Sequence, residues 1–190
     1  MNEPYYQDVA FEKLRAPIQK IKNVEYDSCE FLDCDFSEVS FFSCTFTNCT
    51  FQGCNLKMLK LDKSQLDTIS FNDCTLLGVN FSACTDFLFS VAFENCVLDY
   101  CAFTRKKITK TPFINCSLKE TDFTGCDASG SIFENTDLSN SIFKTTNLSS
   151  ANFLTARNYR IDPEENTLRK AKFSWPGLRG LLHKYDLIIE

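Results

Sequence analysis

The stretch at residues 29–56 reads CEFLDCDFSEVSFFSCTFTNCTFQGCNL, and every fifth residue from Phe31 onward is Phe or Leu. The same spacing continues to Phe81, and a second run, shifted by two residues, extends from Leu88 to Phe153. A period of five matches neither the 3.6-residue period of a helix nor the two-residue alternation of a strand. It predicts a solenoid, in which the chain turns a corner every five residues and directs one large apolar side chain inward each time.

A small or medium-sized residue precedes each large apolar residue by two positions, and all eleven cysteines occupy this position. We expect these two positions of each unit to face inward and the other three to face outward. Cysteines stacked in one column point in parallel, so we expect free thiols that fill the core, with neither disulfides nor a metal site. The cysteines are Cys29, Cys34, Cys44, Cys49, Cys54, Cys74, Cys84, Cys96, Cys101, Cys116 and Cys126.

Grouping the units in fours gives a coil of about twenty residues with four faces. If the slip between Phe81 and Leu88 is a two-residue bulge, the same residue types recur from coil to coil, as stacking at the strand spacing of roughly 4.8 Å would favour. One column then consists of Phe31, Phe51, Phe71, Phe93, Phe113, Phe133, Phe153 and Phe173.

Several five-residue units carry a recognisable motif: SANFL at 150–154, ETDFT at 120–124, NTDLS at 135–139 and TTNLS at 145–149. They match the A(D/N)LXX pattern of the pentapeptide repeat family, which the chain resembles over residues 24–155. The resemblance implies an all-β fold, a right-handed quadrilateral parallel β-helix with a short C-terminal capping helix. One uninterrupted repeat also favours a single elongated domain.

The two ends of the repeat are expected to be capped, because an open solenoid end exposes unpaired strand edges. We expect residues 1–23 to form an irregular N-terminal cap, residues 24–173 the β-helix, and residues 174–190 a C-terminal helix and strand. Ser174 can cap this helix, with Pro176 in its first turn. The segment either plugs the solenoid only or also presents an apolar face to a second copy in a two-fold dimer. The predicted dimer residues are Trp175, Leu178, Leu181, Leu182, Tyr185, Leu187, Ile188 and Ile189.

The C-terminal segment carries a narrower resemblance. Its pattern IDPxxxxLxxxxFxxPxxxxLLxxxxxxI, over residues 161–189, is similar to the end of Qnr-type fluoroquinolone-resistance proteins and microcin-immunity pentapeptide proteins. The segment GVNFSACTDFLFSVAFENC at residues 78–96 is also similar to the immunity type. The resemblance implies a homodimer that imitates double-stranded DNA, binds DNA gyrase or topoisomerase IV, and counters a topoisomerase poison, either a quinolone or a peptide toxin.

The charge distribution supports such a partner more than the net charge of −5 does. Within residues 24–155, the Phe column and the adjacent Cys/Leu column carry ten acidic residues but only two basic ones, Lys57 and Lys119. The other two faces carry seven of each sign if Asp86 and Lys106 are counted. An acidic side would steer the rod onto a basic, DNA-binding surface. The acidic residues are Glu30, Asp33, Asp35, Glu38, Asp73, Glu94, Asp99, Glu120, Glu134 and Asp137.

Asp86 and Lys106 break the repeat, because both fall on small inward positions, one coil apart. A buried charge is unfavourable unless it is paired. Either the two side chains pair inside the helix or, as we favour, the chain bulges out at 84–88 and around 105–110 so that neither charge is buried. Because exceptions to a repeat tend to mark functional sites, Thr85, Asp86 and Phe87 form a candidate contact loop. The alternative is an insertion without a role.

Catalysis is disfavoured by the residue inventory. The single histidine, His183, lies outside the repeats, every cysteine is expected to face inward, and no glycine-rich phosphate loop is present. We therefore expect a non-enzymatic protein with no cofactor, no small-molecule substrate and no direct nucleic-acid binding. The sequence shows no signal peptide or membrane-spanning stretch, which predicts a cytoplasmic protein. The alternative to a topoisomerase-binding dimer is a generic pentapeptide scaffold with an unrelated protein partner.

Overall fold

A computed structural model describes residues 4–15 and 19–188 of the chain, which form a parallel β-solenoid of about eight turns. Short strands alternate with corners, and one helical segment follows the last coil. The strands are β1 Tyr5–Gln7, β2 Ala10–Glu12, β3 Lys20–Lys22, β4 Glu25–Asp27, β5 Glu30–Leu32, β6 Ser40–Phe42, β7 Thr45–Thr47, β8 Thr50–Gln52, β9 Gln65–Asp67, β10 Ile69–Asn72, β11 Val91–Glu94, β12 Pro112–Ile114, β13 Ile132–Glu134, β14 Asn152–Phe153 and β15 Lys172–Phe173.

Four faces surround the core. Face 1 carries a nine-stranded parallel sheet ordered β15-β14-β13-β12-β11-β10-β8-β5-β2. Face 2 is held by isolated bridges such as Asp35↔Asn55, and face 3 by β3–β6 and bridges such as Asn80↔Ala102. Face 4 carries the sheet β1-β4-β7-β9 and the bridge Lys107↔Asp127.

The register confirms the coil of twenty residues and the two-residue bulge. Phe51 pairs with Phe71, twenty residues later, whereas Phe71 pairs with Phe93, twenty-two residues later. After β11 the spacing returns to twenty, since Phe93 pairs with Phe113. The bulge therefore lies between β10 and β11, and it leaves the columns in phase on both sides.

The corners explain the five-residue period. In nearly every unit, the residue two positions after the large apolar one has a positive φ, between about 51° and 72°. This left-handed conformation is uncommon for residues other than glycine, although Asn and Asp adopt it more readily than most. The chain uses Asn48, Asn115 and Asn135 at such corners, and Gly53 and Gly78 at two others. Each corner turns the backbone onto the next face, so the fold repeats a turn every five residues.

The core consists of the predicted columns. On face 1, successive phenylalanine rings stack with centroid separations of 4.5 to 5.3 Å. Such ring pairs contribute about 0.5–1.5 kcal/mol each beyond the burial of their area. All eleven cysteines are buried free thiols, as predicted. Most of them donate to a carbonyl of the coil below; for example, Cys54 Sγ lies 3.2 Å from the Phe31 oxygen.

The N-terminal region corrects one prediction. Within residues 1–23, strands β1, β2 and β3 pair in register with β4, β5 and β6, so the described part of this region continues the solenoid and is not an irregular cap. The reason is that Phe11 and Ile21 keep the five-residue phase, and the Phe11 ring stacks on Phe31 at 5.1 Å. Residues 1–3 and 16–18 lie outside the described residues.

The C-terminal segment is helical from Pro176 to Tyr185, with 3₁₀ turns on both sides of one α-helical turn, α1 Arg179–Leu182. The N-cap residue is Trp175 and not the predicted Ser174, although Ser174 Oγ accepts the Gly177 N–H at 3.3 Å in the first turn. The predicted final strand is not formed at residues 187–188, which have no pairing strand among the described residues. Within the described residues, no helix has the length and apolar character that crossing a membrane requires.

Candidate functional site

Acidic residues are concentrated on one face of the rod. Among the described residues, face 1 carries six acidic residues (Glu12, Glu30, Asp33, Asp73, Glu94 and Glu134) and two basic ones (Lys13 and Lys172). Face 3 carries six basic residues (Lys20, Lys22, Lys60, Lys63, Arg105 and Lys144) and five acidic ones (Asp62, Asp122, Asp162, Glu164 and Glu165), the last three on the coil that stacks on residues 142–146. Faces 2 and 4 carry both signs. The sequence-based prediction did not separate the basic residues of face 3, because it counted faces 3 and 4 together and treated Lys20 and Lys22 as part of an irregular cap.

Three of the ten predicted acidic residues are half-buried and bonded within the chain. Asp35 Oδ1 accepts from the Ser37 N–H at 3.1 Å and from Ser37 Oγ at 2.7 Å, and these bonds hold the pKa of Asp35 below its usual value. Asp137 makes the same pair of bonds with Ser139. Asp99 Oδ1 accepts from Ser117 Oγ at 2.6 Å. These carboxylates stabilise turns on face 2 and are the least available to a partner.

The other seven are exposed, and five of them make no side-chain hydrogen bond or ion pair with another described residue: Glu30, Asp33, Glu38, Glu94 and Glu134. Asp73 accepts from Gln52 Nε2 at 2.6 Å, and Glu120 accepts from Asn140 Nδ2 at 3.0 Å. Four of the five unbonded carboxylates lie on face 1, and Glu38 lies on face 2. The flat sheet of face 1 therefore presents most of the acidic groups that remain available for a partner.

The bulge forms an exposed loop over residues 85–88. A 3₁₀ turn, Phe81–Ala83, replaces the usual corner, and Asn80 Oδ1 caps it by accepting the Ser82 N–H at 3.0 Å. The sequence predicted Leu88 as the next inward residue, but Leu88 is exposed and Phe89 packs against the core instead. Of the predicted contact residues, Asp86 and Phe87 are exposed and Thr85 is half-buried.

Lys106 is buried, and its ammonium group reaches this loop. Nζ donates to the Cys84 carbonyl at 2.5 Å, to the Thr85 carbonyl at 3.1 Å and to Asp86 Oδ1 at 2.7 Å. The Lys106 side chain is 2% exposed and that of Asp86 is 85% exposed. The favoured expectation, that neither charge is buried, is therefore wrong for Lys106. The two charges do pair, but at the surface of the coil, because the loop carries Asp86 outward.

The C-terminal segment divides its apolar residues between the core and the surface. Leu181 packs against the core cluster, and Leu178 and Leu182 are half-buried. Trp175, Tyr185, Leu187 and Ile188 are exposed, with Trp175 86% and Ile188 92% accessible, and Ile189 lies outside the described residues. Trp175 therefore does not share one helical face with Leu181, because it precedes the helical segment at its N-cap.

Ion pairs fix the segment to the last coil. Lys184 Nζ lies 2.8 Å from Asp162 Oδ1 and 2.7 Å from Glu164 Oε2, and the Tyr185 hydroxyl donates to Glu164 Oε1 at 2.9 Å. The hydrogen bonds from Lys184 lower the pKa of both carboxyl groups. The exposed apolar side chains of this segment are thus attached to a well-defined base on the solenoid.

Comparisons with known proteins agree with this architecture. Two family models match: a pentapeptide repeat region over residues 24–103, and pentapeptide repeats in eight copies over residues 116–153. Together these segments span more than half of the chain. No curated protein matches the sequence.

Two solved structures show the same fold. A trypsin-treated variant of QnrB1, a plasmid-mediated fluoroquinolone resistance protein, is 18% identical, with 100% of both chains covered and a TM-score of 0.50. HetL, a pentapeptide repeat protein involved in heterocyst differentiation regulation in the cyanobacterium Nostoc sp. strain PCC 7120, is 15% identical. That match covers 90% of this chain and 85% of HetL, with a TM-score of 0.56. At these identities the likeness establishes the fold alone.

Proposed function

Since the chain belongs to the pentapeptide repeat family, we propose that it is a non-enzymatic, DNA-mimic-like protein that binds a type II DNA topoisomerase. The target is DNA gyrase or topoisomerase IV, and binding protects it from a poison, either a fluoroquinolone or a peptide toxin. The single observation that carries this proposal is the concentration of exposed, unbonded carboxylates on the nine-stranded sheet of face 1.

Face 1 has the geometry that a basic, DNA-binding groove would accept. From β5 to β13 it is a ladder of six parallel strands, about 24 Å long at the spacing of neighbouring strands. Glu30, Asp33, Glu94 and Glu134 project from it along this length. The charge is sparser than that of DNA, which carries one negative charge per about 1.7 Å of axis. We therefore expect electrostatics to orient the rod and raise its association rate rather than to supply all of the affinity.

The C-terminal pattern at residues 161–189 supports the same class of partner through its similarity to Qnr-type and immunity-type proteins. QnrB1, which has this fold, is a fluoroquinolone resistance protein. The exposed Trp175, Leu187 and Ile188 at the end of the rod support a homodimer, because a patch of this kind is usually buried by self-association. Two rods joined at this end would present a longer acidic surface to the enzyme.

A supercoiling assay tests the proposal. Purified protein is added to gyrase, and separately to topoisomerase IV in a decatenation assay, with and without a fluoroquinolone or a peptide poison. We expect the protein to restore activity in the presence of a poison, or to inhibit the enzyme at higher protein concentration. If the protein has neither effect on either enzyme over a wide concentration range, the topoisomerase assignment is wrong.

Charge reversal on face 1 tests which surface is used. The variant Glu94→Lys with Glu134→Lys should raise the concentration needed for protection about tenfold or more, because it replaces two unbonded carboxylates with like charges facing a basic partner. The matched control, Glu25→Lys with Asp62→Lys, changes the net charge equally but lies on faces 4 and 3. Equal losses in both variants would contradict a role specific to face 1.

The alternative function is a protein-binding scaffold with an unrelated partner. HetL, which shares the fold, is involved in a regulatory process in its cyanobacterium, so the architecture serves more than one role. The wild type, the face 1 charge-reversal variant and its control together distinguish this scaffold from a topoisomerase-binding protein. A scaffold would leave both topoisomerases unaffected in the wild type, whereas a topoisomerase binder would lose its effect only in the face 1 variant.

A further inference from the structure

Lys106 occupies a position that the neighbouring coils fill with small side chains. In the same column, Ser64 and Thr146 use their hydroxyl groups to donate to a carbonyl of the coil below, at 2.9 Å from Phe41 O and 2.8 Å from Phe123 O. Lys106 keeps the donor role but is much longer. The Lys106 side chain fits because the coil below it contains the two-residue bulge. Its amino group therefore extends past the regular backbone of that coil and into the loop.

The ammonium group of Lys106 is fully satisfied by the loop. A lysine has three N–H donors, and the Cys84 carbonyl, the Thr85 carbonyl and the Asp86 carboxylate provide three acceptors. The ring of Phe89 lies 4.8 Å from Nζ and adds a cation–π contact. A buried ammonium is strongly unfavourable without partners, so the loop conformation and the burial of Lys106 require each other.

Little else holds the outer part of the loop. At its two ends, Thr85 N–H donates to Ser64 O and Ser90 N–H donates to Leu66 O, both at 2.9 Å. Between them, none of the backbone N–H groups of residues 86–89 donates a hydrogen bond to another described residue. The Lys106 side chain is thus the main polar attachment between the start of the loop and the coil above.

We infer that Lys106 is a positioning residue that fixes the loop so that Phe87 and Leu88 stay exposed as an apolar contact for the partner of face 1. This inference rests on the proposed function for the identity of that partner. The location supports it, because the loop leaves face 4 and runs through Ser90 directly into β11 on face 1. The loop thus borders the start of β11, Glu94 ends the same strand, and Phe87 is 69% exposed beside it.

Limited proteolysis with chymotrypsin tests the positioning role without any partner. Phe87 and Leu88 are exposed substrates for this protease, and a fixed loop resists cleavage. The variant Lys106→Met keeps the length of the side chain but removes its donors, so we expect cleavage at 87–89 at least tenfold faster than in the wild type. The control Lys107→Met removes a neighbouring exposed lysine and should leave the rate unchanged. Equal cleavage rates in wild type and Lys106→Met would overturn the positioning role.

A second variant guards against loss of the fold in Lys106→Met. Asp86→Asn removes the only charged acceptor of Lys106, at an exposed position, so it leaves the core intact and should increase cleavage about two- to fivefold. Urea unfolding of each variant shows whether the solenoid as a whole persists. A cleavage rate in Asp86→Asn identical to the wild type, together with unfolding of Lys106→Met as a whole, would also overturn the proposal.

Binding to gyrase or topoisomerase IV tests the contact role. Phe87→Ser with Leu88→Ser should weaken protection about tenfold with no change in urea stability, and Lys106→Met should weaken it to a similar extent. If Lys106→Met is cleaved faster in the loop but still protects the topoisomerase fully, Lys106 positions the loop and the loop does not contact the partner. That result would overturn the contact role. If the wild type does not act on either topoisomerase, the proposed function fails, while the proteolysis result still decides the role of Lys106.

Discussion

The small inward positions combine packing with hydrogen bonding. Cys126 Sγ donates to the Phe103 carbonyl, and Ser141 Oγ makes the equivalent bond to the Leu118 carbonyl at 2.7 Å. Cysteine and serine therefore make equivalent hydrogen bonds at this position, but the cysteine thiol ionises at a lower pH than the serine hydroxyl. Burial raises the pKa of the Cys101, Cys116 and Cys126 thiols to about 12, because a thiolate would be poorly solvated there.

These raised pKa values predict a loss of stability at alkaline pH. In the unfolded chain a thiol ionises near pH 8.5, whereas Cys126 in the folded chain stays protonated until about pH 12. Above pH 9 the unfolded state therefore binds fewer protons, and the free energy of unfolding falls by about 1.4 kcal/mol per pH unit for each such thiol. Urea unfolding at pH 7, 9 and 10 measures this slope. Cys126→Ser keeps the hydrogen bond and should reduce this slope by the contribution of one thiol, about 1.4 kcal/mol per pH unit. An unchanged slope would contradict a raised pKa for Cys126.

At the level of strands and loops, the phenylalanine column of face 1 is the main source of packing energy. Phe113 is fully buried and stacks on Phe93 at 5.3 Å and on Phe133 at 5.2 Å. Edge-to-face contacts with Phe103 and Phe123 complete its surroundings. The column therefore links successive coils, and a cavity in its middle removes contacts on both sides.

Truncation in the middle of the column should be far more destabilising than at its end. Phe113→Ala should reduce the free energy of unfolding by about 3–5 kcal/mol, whereas Phe113→Leu, a residue that the adjacent column already uses, should reduce it by about 1.5 kcal/mol or less. Phe11→Ala provides the control, because Phe11 is half-buried and has only Phe31 as a column neighbour. Denaturant unfolding of the three variants measures the order. A larger effect at Phe11 than at Phe113 would contradict this account.

The five-residue period predicts the columns of core residues and their register, but not which residues at the bulge are directed away from the core. Leu88 and Phe89 are both large and apolar, so either could fill the column, and counting by fives favours Leu88. The choice of Phe89 depends on Lys106, which lies a coil further along the chain and places its amino group over the Phe89 ring. The local pattern contains no signal for this contact. Similarly, the terminal strand expected at residues 186–190 has no described strand to pair with in a single chain.

The sequence predicts where the acidic residues of the candidate site lie, but not which of their carboxylates remain free to contact a partner. The count by fives places all ten acidic residues outward, and none of them is buried. Whether a carboxylate is available depends on the neighbouring turn. Asp35 and Asp137 are followed two residues later by serines that bond them, whereas Glu94 and Glu134 have no such neighbour. An aspartate with serine two residues later is thus the sequence signal for two of the three turn-stabilising carboxylates, whereas Asp99 is bonded by Ser117 of the next coil and lacks this signal.

For the whole molecule, the concentration of acidic residues on one face implies a defined orientation toward a basic partner. Face 1 carries mostly acidic residues, whereas face 3, on the opposite side of the core, carries nearly equal numbers of both signs, so a basic partner is attracted more strongly to face 1. The C-terminal segment lies beyond the last coil of face 1, on β15. A two-fold dimer formed through that segment would therefore keep both face 1 surfaces accessible.

Assembly through the C-terminal segment gives the last prediction. Ile188→Asp with Trp175→Asp places charges at two exposed apolar positions of the segment, where burial against a second copy would leave them unpaired. We expect the wild type to have twice the chain mass of 21.7 kDa by light scattering, and the variant to have the single mass. The control Ile142→Asp changes another exposed apolar residue, on face 3, and should stay dimeric. Because the ion pairs of Lys184 with Asp162 and Glu164 attach the segment independently of these two positions, the variant should retain its fold. A monomeric wild type would rule out the dimer, and a dimeric variant would place its interface elsewhere on the rod.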